Sequence, residues 1–162
     1  MNYAKILKAD MANGVGFRVT LYVSGCARGC KGCFNRIAQD PAYGQPFDEE
    51  AKLKIFSELD KDWCRGLSFL GGEPLSRLSD NRAQVIAFAK EVKERYPNKD
   101  IWMWTGYSLE EIQADKSMTP ILDCIDYLID GPFVEELKDL SLKWKGSSNQ
   151  RVIDVKELRN TR

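Results

Sequence analysis

"FRVTLYVSGCARGCKGCFN", Phe17 to Asn35, sets an apolar run directly before three closely spaced thiols. Phe17 to Ser24 reads as a β-strand because it is rich in β-branched and aromatic side chains, which suit a pleated backbone. The loop after it carries Cys26, Cys30 and Cys33, three of the five cysteines, in the spacing C-x3-C-x2-C. Further short apolar runs read as strands at Leu67–Leu70, Ile101–Trp104 and Tyr127–Ile129, with a fifth candidate at Arg151–Val155. The strands after the first run into "GGEP" (Gly71–Pro74), "TGY" (Thr105–Tyr107) and "DGPF" (Asp130–Phe133).

Helical patterns lie between the strands. In Phe47–Trp63, Leu53, Phe56, Leu59 and Trp63 recur at three- and four-residue steps, Asp48 is placed to cap, and Glu49 and Glu50 favour the first turn. In Ser79–Asn98, Val85, Ala89, Val92 and Tyr96 share one face, and Pro97 with Asn98 ends the helix. Ser108 and Glu111 form a capping-box pattern. Strands alternating with helices predict an α/β fold: an open or partial (βα) barrel of about five to six parallel strands, in a single domain over residues 1–162. The chain is too short for a full eight-fold barrel of roughly 250 residues. Such folds place their chemistry at the carboxyl ends of the strands, where all four motifs fall. The tail from Lys156 to Arg162 is expected to be a solvated end.

Composition narrows the function. The 24 basic and 24 acidic residues balance, which argues against a nucleic-acid partner and suits a protein that docks on another protein. No run approaches the roughly 20 apolar residues of a membrane span, and the first residues lack the apolar centre of a secretory signal, so a cytoplasmic location is expected. An odd number of cysteines in that reducing compartment points to metal or redox chemistry rather than a disulfide framework. There is no histidine, which excludes Ser-His-Asp and Cys-His hydrolases and any histidine-ligated metal site.

Three thiolates on one loop can hold three irons of a cubane [4Fe-4S] cluster and leave the fourth iron open. Gly25, Gly29 and Gly32 let the chain wrap closely around such a cluster. A zinc site is the alternative, and its fourth ligand would have to be Cys64, Cys124 or a carboxylate. Otherwise Cys64 and Cys124 read as small buried hydrophobes, and Trp102 and Trp104 as core.

C-x3-C-x2-C after a first strand resembles the signature of the radical S-adenosylmethionine enzymes. "NGVGFRVTLYVSGC", "CKGCFN", "LSFLGGEPL", "KDIWMWTGY", "LIDGPFVEELKD" and "WKGSSNQRV" are more closely similar to activating enzymes of glycyl radical enzymes, in particular the small activases of anaerobic (class III) ribonucleotide reductase. Together with the opening "MNY", these elements cover residues 1 to about 153. The resemblance implies a [4Fe-4S] cluster held by Cys26, Cys30 and Cys33, reductive cleavage of S-adenosyl-L-methionine to a 5'-deoxyadenosyl radical, and removal of a glycine hydrogen from the reductase large subunit. It implies a reduced electron donor such as flavodoxin and leaves open whether the free protein is a homodimer. It places S-adenosylmethionine against Gly32, Cys33 and Phe34, along Gly71, Gly72 and Glu73, and near Thr105, Asp130 and Asn149. Asn13, Gly14, Gly16 and Arg18 resemble a motif at the opening of the site, where Arg18 either orients an anion or pairs with a neighbouring acid at the surface.

Two positions depart from the family pattern. Gly32 stands where many members have an aromatic residue, so Phe34 is expected to pack near the adenine, and Val15 replaces the proline of "NGPG". The alternatives are activation of another glycyl radical enzyme such as pyruvate formate-lyase, a small-molecule reaction like that of the 7-carboxy-7-deazaguanine synthases, and a non-enzymatic zinc or iron-sulfur binding module.

Overall fold

Seven strands make one mixed, open sheet in the computed structural model, which describes residues 1–161. They are β1 (Asn2–Asp10), β2 (Arg18–Val23), β3 (Gln45–Pro46), β4 (Gly66–Gly71), β5 (Asp100–Trp104), β6 (Tyr127–Asp130) and β7 (Arg151–Asp154), in the order β3-β1-β2-β4-β5-β6-β7. The four expected runs are the four parallel strands at its centre, β2, β4, β5 and β6. Two strands were not anticipated: β1, antiparallel to β2 with two register shifts, and the two-residue β3 beside it. The fifth expected strand, β7, forms but runs antiparallel to β6. Residues 131–150 return the chain without a crossover α-helix, and a parallel connection needs a crossover.

Helices α1 (Glu49–Leu59) and α2 (Asn81–Arg95) supply much of the core against one face of the sheet. Val19, Leu21, Val23, Leu67, Phe69, Ile101, Met103 and Leu128, alternate residues of the central strands, point into this core. Burying each leucine or phenylalanine stabilises the fold by about 1.5–3 kcal/mol. Cys64 and Cys124 are buried in the same cluster, as small hydrophobes.

The buried face of α1 is Ala51, Ile55, Phe56 and Leu59. Leu53, expected on that face, is 62% exposed, because two residues from Ala51 it falls on the far side of a 3.6-residue turn. Trp63 lies past the helix end and packs edge-on against Phe17 at the surface. The Asp48 carboxylate accepts the Ala51 N–H at 2.9 Å, which satisfies a donor the helix itself cannot. Asp48→Ala is expected to lower stability by about 1 kcal/mol, read from the urea midpoint. In α2, Val85, Phe88, Ala89 and Val92 are buried, and the helix ends at Arg95, two residues before Pro97. The short α3 (Leu109–Ala114) carries the full capping box: Ser108 Oγ accepts from the Glu111 N–H, and Glu111 accepts from the Ser108 N–H. The tail is not a solvated end over its described part. It forms α4 (Val155–Asn160), where Arg159 donates to the carbonyls of Leu122 and Ile125 at 2.7 and 2.6 Å; Arg162 lies outside the described residues.

The other parity of the central strands, Arg18, Thr20, Tyr22, Ser68, Leu70, Trp102 and Trp104, faces away from that core. At the amino ends of the strands this second face is filled. Arg18 is fully buried, donates to Ser68 Oγ at 2.8 Å and to the Leu67 carbonyl, and pairs with Asp100 at 2.6 Å. It therefore pairs with an acid as expected, but buried beneath the site rather than at the surface or at the opening of the site. Trp102 is buried beside it, stacked on Tyr127 at 4.5 Å between ring centroids. Among the described residues no helix is long and apolar enough to cross a membrane.

Candidate functional site

Where the second face reaches the carboxyl ends of the strands it opens into a cavity of about 400 Å³. Its walls include Cys26, Cys30, Cys33 and Phe34 after β2, Gly71, Gly72 and Glu73 after β4, Thr105 and Gly106 after β5, and Gly131 after β6. The four sequence motifs thus meet at one place.

Backbone hydrogen bonds hold these ends together. The Gly72 N–H donates to the Val23 carbonyl at 2.8 Å and the Glu73 N–H to the Gly25 carbonyl at 2.9 Å, so the "GGEP" turn is fastened to the thiol loop. Gly71 has φ +114°, and a Cβ there would lie 2.2 Å from the Val23 oxygen. Only glycine allows β2 and β4 to approach so closely with that backbone.

Glu73 is buried, and its carboxylate accepts from Thr105 Oγ1 at 2.6 Å, from the Gly106 N–H at 2.7 Å and from the Leu75 N–H at 3.0 Å. Burial raises its pKa, while those hydrogen bonds and the Arg28 charge pull it back. The carboxylate expected to meet an incoming ammonium therefore also ties the end of β4 to the end of β5.

The three loop cysteines are free and half-buried. Burial pushes the Cys26 thiol up, the backbone hydrogen bond at Arg28 opposes this, and Glu73 with the other two thiols adds to the rise. A metal that takes the proton's place relieves that penalty. Cys26, Cys30 and Cys33 line one wall of the cavity, with Cys64 and Cys124 remote in the core, and three thiols at one wall are a donor set that an iron-sulfur cluster can use.

Three expected contacts do not line the cavity. Gly32 backs onto Glu135, whose carboxylate a Cβ would meet at 2.8 Å. Asn149 donates to the Pro132 carbonyl, and its neighbour Gln150 lines the wall instead, accepting from the Gly146 N–H and donating to the Gly131 carbonyl. Asp130 is buried, accepts the Leu109 N–H at 2.8 Å and is held by Arg151. Arg151 also pairs with Glu110 at 2.7 Å and, chiefly through that hydrogen bond, holds the Glu110 pKa down to about 2. A lowered carboxyl pKa adds stability above about 4.5, which is lost as pH falls towards 2. Arg151→Ala is therefore expected to lower the urea midpoint at pH 7 and to flatten its decline between pH 4.5 and 2.

Other wall residues went unread. Tyr22 and Leu70 were accessible from strand parity, since each alternates with a core residue, and by the same alternation Trp104, expected in the core, faces the cavity instead. Arg28 lay inside the quoted loop. Phe133 and Trp144 come from the long 131–150 return, whose path no local pattern fixes. Phe133 packs on Phe34 at 4.8 Å, and Trp104 Nε1 donates to the Trp144 carbonyl at 2.6 Å, which closes the apolar side of the cavity.

Residues 12–153 match the family model described as a 4Fe-4S single cluster domain. The chain is 43% identical over 152 residues to the anaerobic ribonucleoside-triphosphate reductase-activating protein of Pasteurella multocida, an alignment covering 93% of this chain and 95% of that one. The protein of the same name from Escherichia coli K12 is 40% identical over 154 residues, covering 94% and 97%. That of Enterobacteria phage T4 is 40% identical over 152 residues, covering 94% and 93%.

Proposed function

This chain belongs to the family of anaerobic ribonucleoside-triphosphate reductase-activating proteins, and on that premise we propose that its cavity binds a [4Fe-4S] cluster and S-adenosylmethionine to generate the glycyl radical of the reductase. It is an activating enzyme of anaerobic ribonucleotide reductase. The observation that supports the chemistry best is the meeting of three loop thiols with the "GGEP" and "TGY" turns at the carboxyl ends of parallel strands.

Cys26, Cys30 and Cys33 would hold the cluster, and Cys33, Phe34, Gly71, Gly72, Glu73 and Thr105 the S-adenosylmethionine. When bound, the cluster supplies one electron to the sulfonium, whose carbon-sulfur cleavage gives methionine and a 5'-deoxyadenosyl radical able to take a hydrogen atom from a glycine. The protein's part is to bind, orient and exclude. Glu73, with three acceptor positions committed to its own chain, keeps one for the amino group. Tyr22, Leu70, Phe34, Trp104, Phe133 and Trp144 keep water from the apolar side. Asp130 and Asn149 act at one remove, by shaping the loop around Gly131. No proton transfer by a side chain is required, in keeping with a chain without histidine. The sheet is read as an open barrel whose unfilled side admits the reductase's glycine, and a reduced donor such as flavodoxin and a cytoplasmic setting complete the proposal.

The test is anaerobic reconstitution with iron and sulfide, reduction with dithionite, and measurement of 5'-deoxyadenosine from S-adenosylmethionine, followed by electron paramagnetic resonance with the reductase. Formation of the nucleoside and of a glycyl radical signal is expected. A colourless protein that leaves S-adenosylmethionine intact would overturn the reading.

A further inference from the structure

Arg28 stands between the first two thiols and lines the cavity, yet among the described residues no acceptor meets its Nε. Its guanidinium sits over the Tyr107 ring, 4.3 Å from the centroid, and presses against Gly106, where a Cβ would come within 2.4 Å of its Cδ and Nε. The nearest carboxylate oxygens are those of Glu73, 3.8 Å from Nε, and Glu111, 3.9 Å from Nη2, both beyond hydrogen-bond length. Nε is buried without an acceptor.

Other inward-facing arginines differ. Arg18 donates to Ser68, Val15 and Leu67; Arg82 to Leu75, Asp115 and Ser117; Arg159 to Leu122 and Ile125. A half-buried guanidinium is a rigid fork of five N–H donors, and leaving such donors unmet in a poorly hydrated wall is costly. Glu73 balances the charge of Arg28 without satisfying its donors. The two side chains thus present opposite charges 3.8 Å apart at the cavity wall, the complement of an α-amino acid with its ammonium and carboxylate on one carbon.

We propose that Arg28 is the carboxylate-binding residue of this cavity and receives the amino-acid carboxylate of S-adenosylmethionine. The proposal rests on the functional reading above and adds to it a residue that fixes which end of the ligand faces the thiol loop. Arginine suits the task because its fork matches a carboxylate in two-point contact, which lysine cannot reproduce. Stacking on Tyr107 holds the fork in place before the ligand arrives.

The test compares two ligands on reconstituted, unreduced protein, where nothing is cleaved: S-adenosylmethionine and its decarboxylated analogue, which keeps the sulfonium and the amine. Dissociation constants are measured for the unchanged protein, Arg28→Gln and Arg28→Lys. Within each preparation the readout is the ratio of the two affinities, so incomplete iron loading cancels. Arg28→Gln is expected to weaken S-adenosylmethionine on the order of 10- to 100-fold while changing the analogue less than about threefold, with Arg28→Lys between the two. Equal losses for both ligands would overturn this inference alone, since Arg28 would then act through Glu73 or through the shape of the loop. Failure of the unchanged protein to bind either ligand would overturn it together with the functional reading.

Discussion

Cys30→Ala will fold as the parent does and form no 5'-deoxyadenosine. Cys30 is half-exposed, and its loop position is fixed by a backbone contact in which its carbonyl accepts the Cys33 N–H. Truncation of the thiol leaves that contact in place, so the iron-free variant should unfold within about 0.5 kcal/mol of the parent. Its chemical effect is total by comparison. With Cys64 and Cys124 in the core, the cavity has no fourth thiol to take over, and two ligands do not secure a cluster of four irons. Iron and sulfide content, urea midpoint and nucleoside formation should be measured on one preparation. Cys64→Ala is the matching control, and it should cost stability while leaving the iron content unchanged. Normal cleavage by Cys30→Ala would show that the cluster is held elsewhere.

Gly71→Ala is expected to destabilise the fold strongly. At φ +114° an L side chain is strained by roughly 1–2 kcal/mol before any contact is counted. The new Cβ would also lie 2.2 Å from the Val23 oxygen and 2.4 Å from the Val23 nitrogen, both backbone atoms of the neighbouring parallel strand. Neither can swing aside as a side chain would, so β2 and β4 must part where Val23 pairs with Gly71, adding about 1–3 kcal/mol or more. The sum, about 2–5 kcal/mol, is a large share of the 5–15 kcal/mol typical of a domain. Gly29→Ala separates strain from collision: its φ is +60° but nothing lies within 4 Å of the added carbon, so it should lose only about 1 kcal/mol. Similar urea midpoints for the two variants would refute the account of Gly71.

The sequence revealed most where one local rule acted without competition. The central strands are short apolar runs, the capping box at Ser108 and Glu111 depends on four residues, and each motif sits one step past a strand. It failed where the deciding partner is distant. β1 hides because Lys5, Leu7 and Lys8 are exposed at the sheet's margin, and only pairing with β2 makes that segment extended. β7 has the composition of any strand, and its direction is set by the return through residues 131–150. Asp130 and Gly131 are adjacent in sequence, yet Arg151, twenty-one positions from Asp130, draws the carboxylate away and leaves the glycine to face the cavity.

The thiol loop is closed at its base by chain alone: the Gly25 N–H meets the Ala38 carbonyl at 2.7 Å and the Cys26 N–H meets the Gln39 carbonyl at 3.0 Å. Between these clasps the loop's own hydrogen bonds are few and short in range, and none reaches into the sheet. Main-chain bonds survive the truncation of any side chain, so the two ends of the loop stay in place whichever of its thiols is removed.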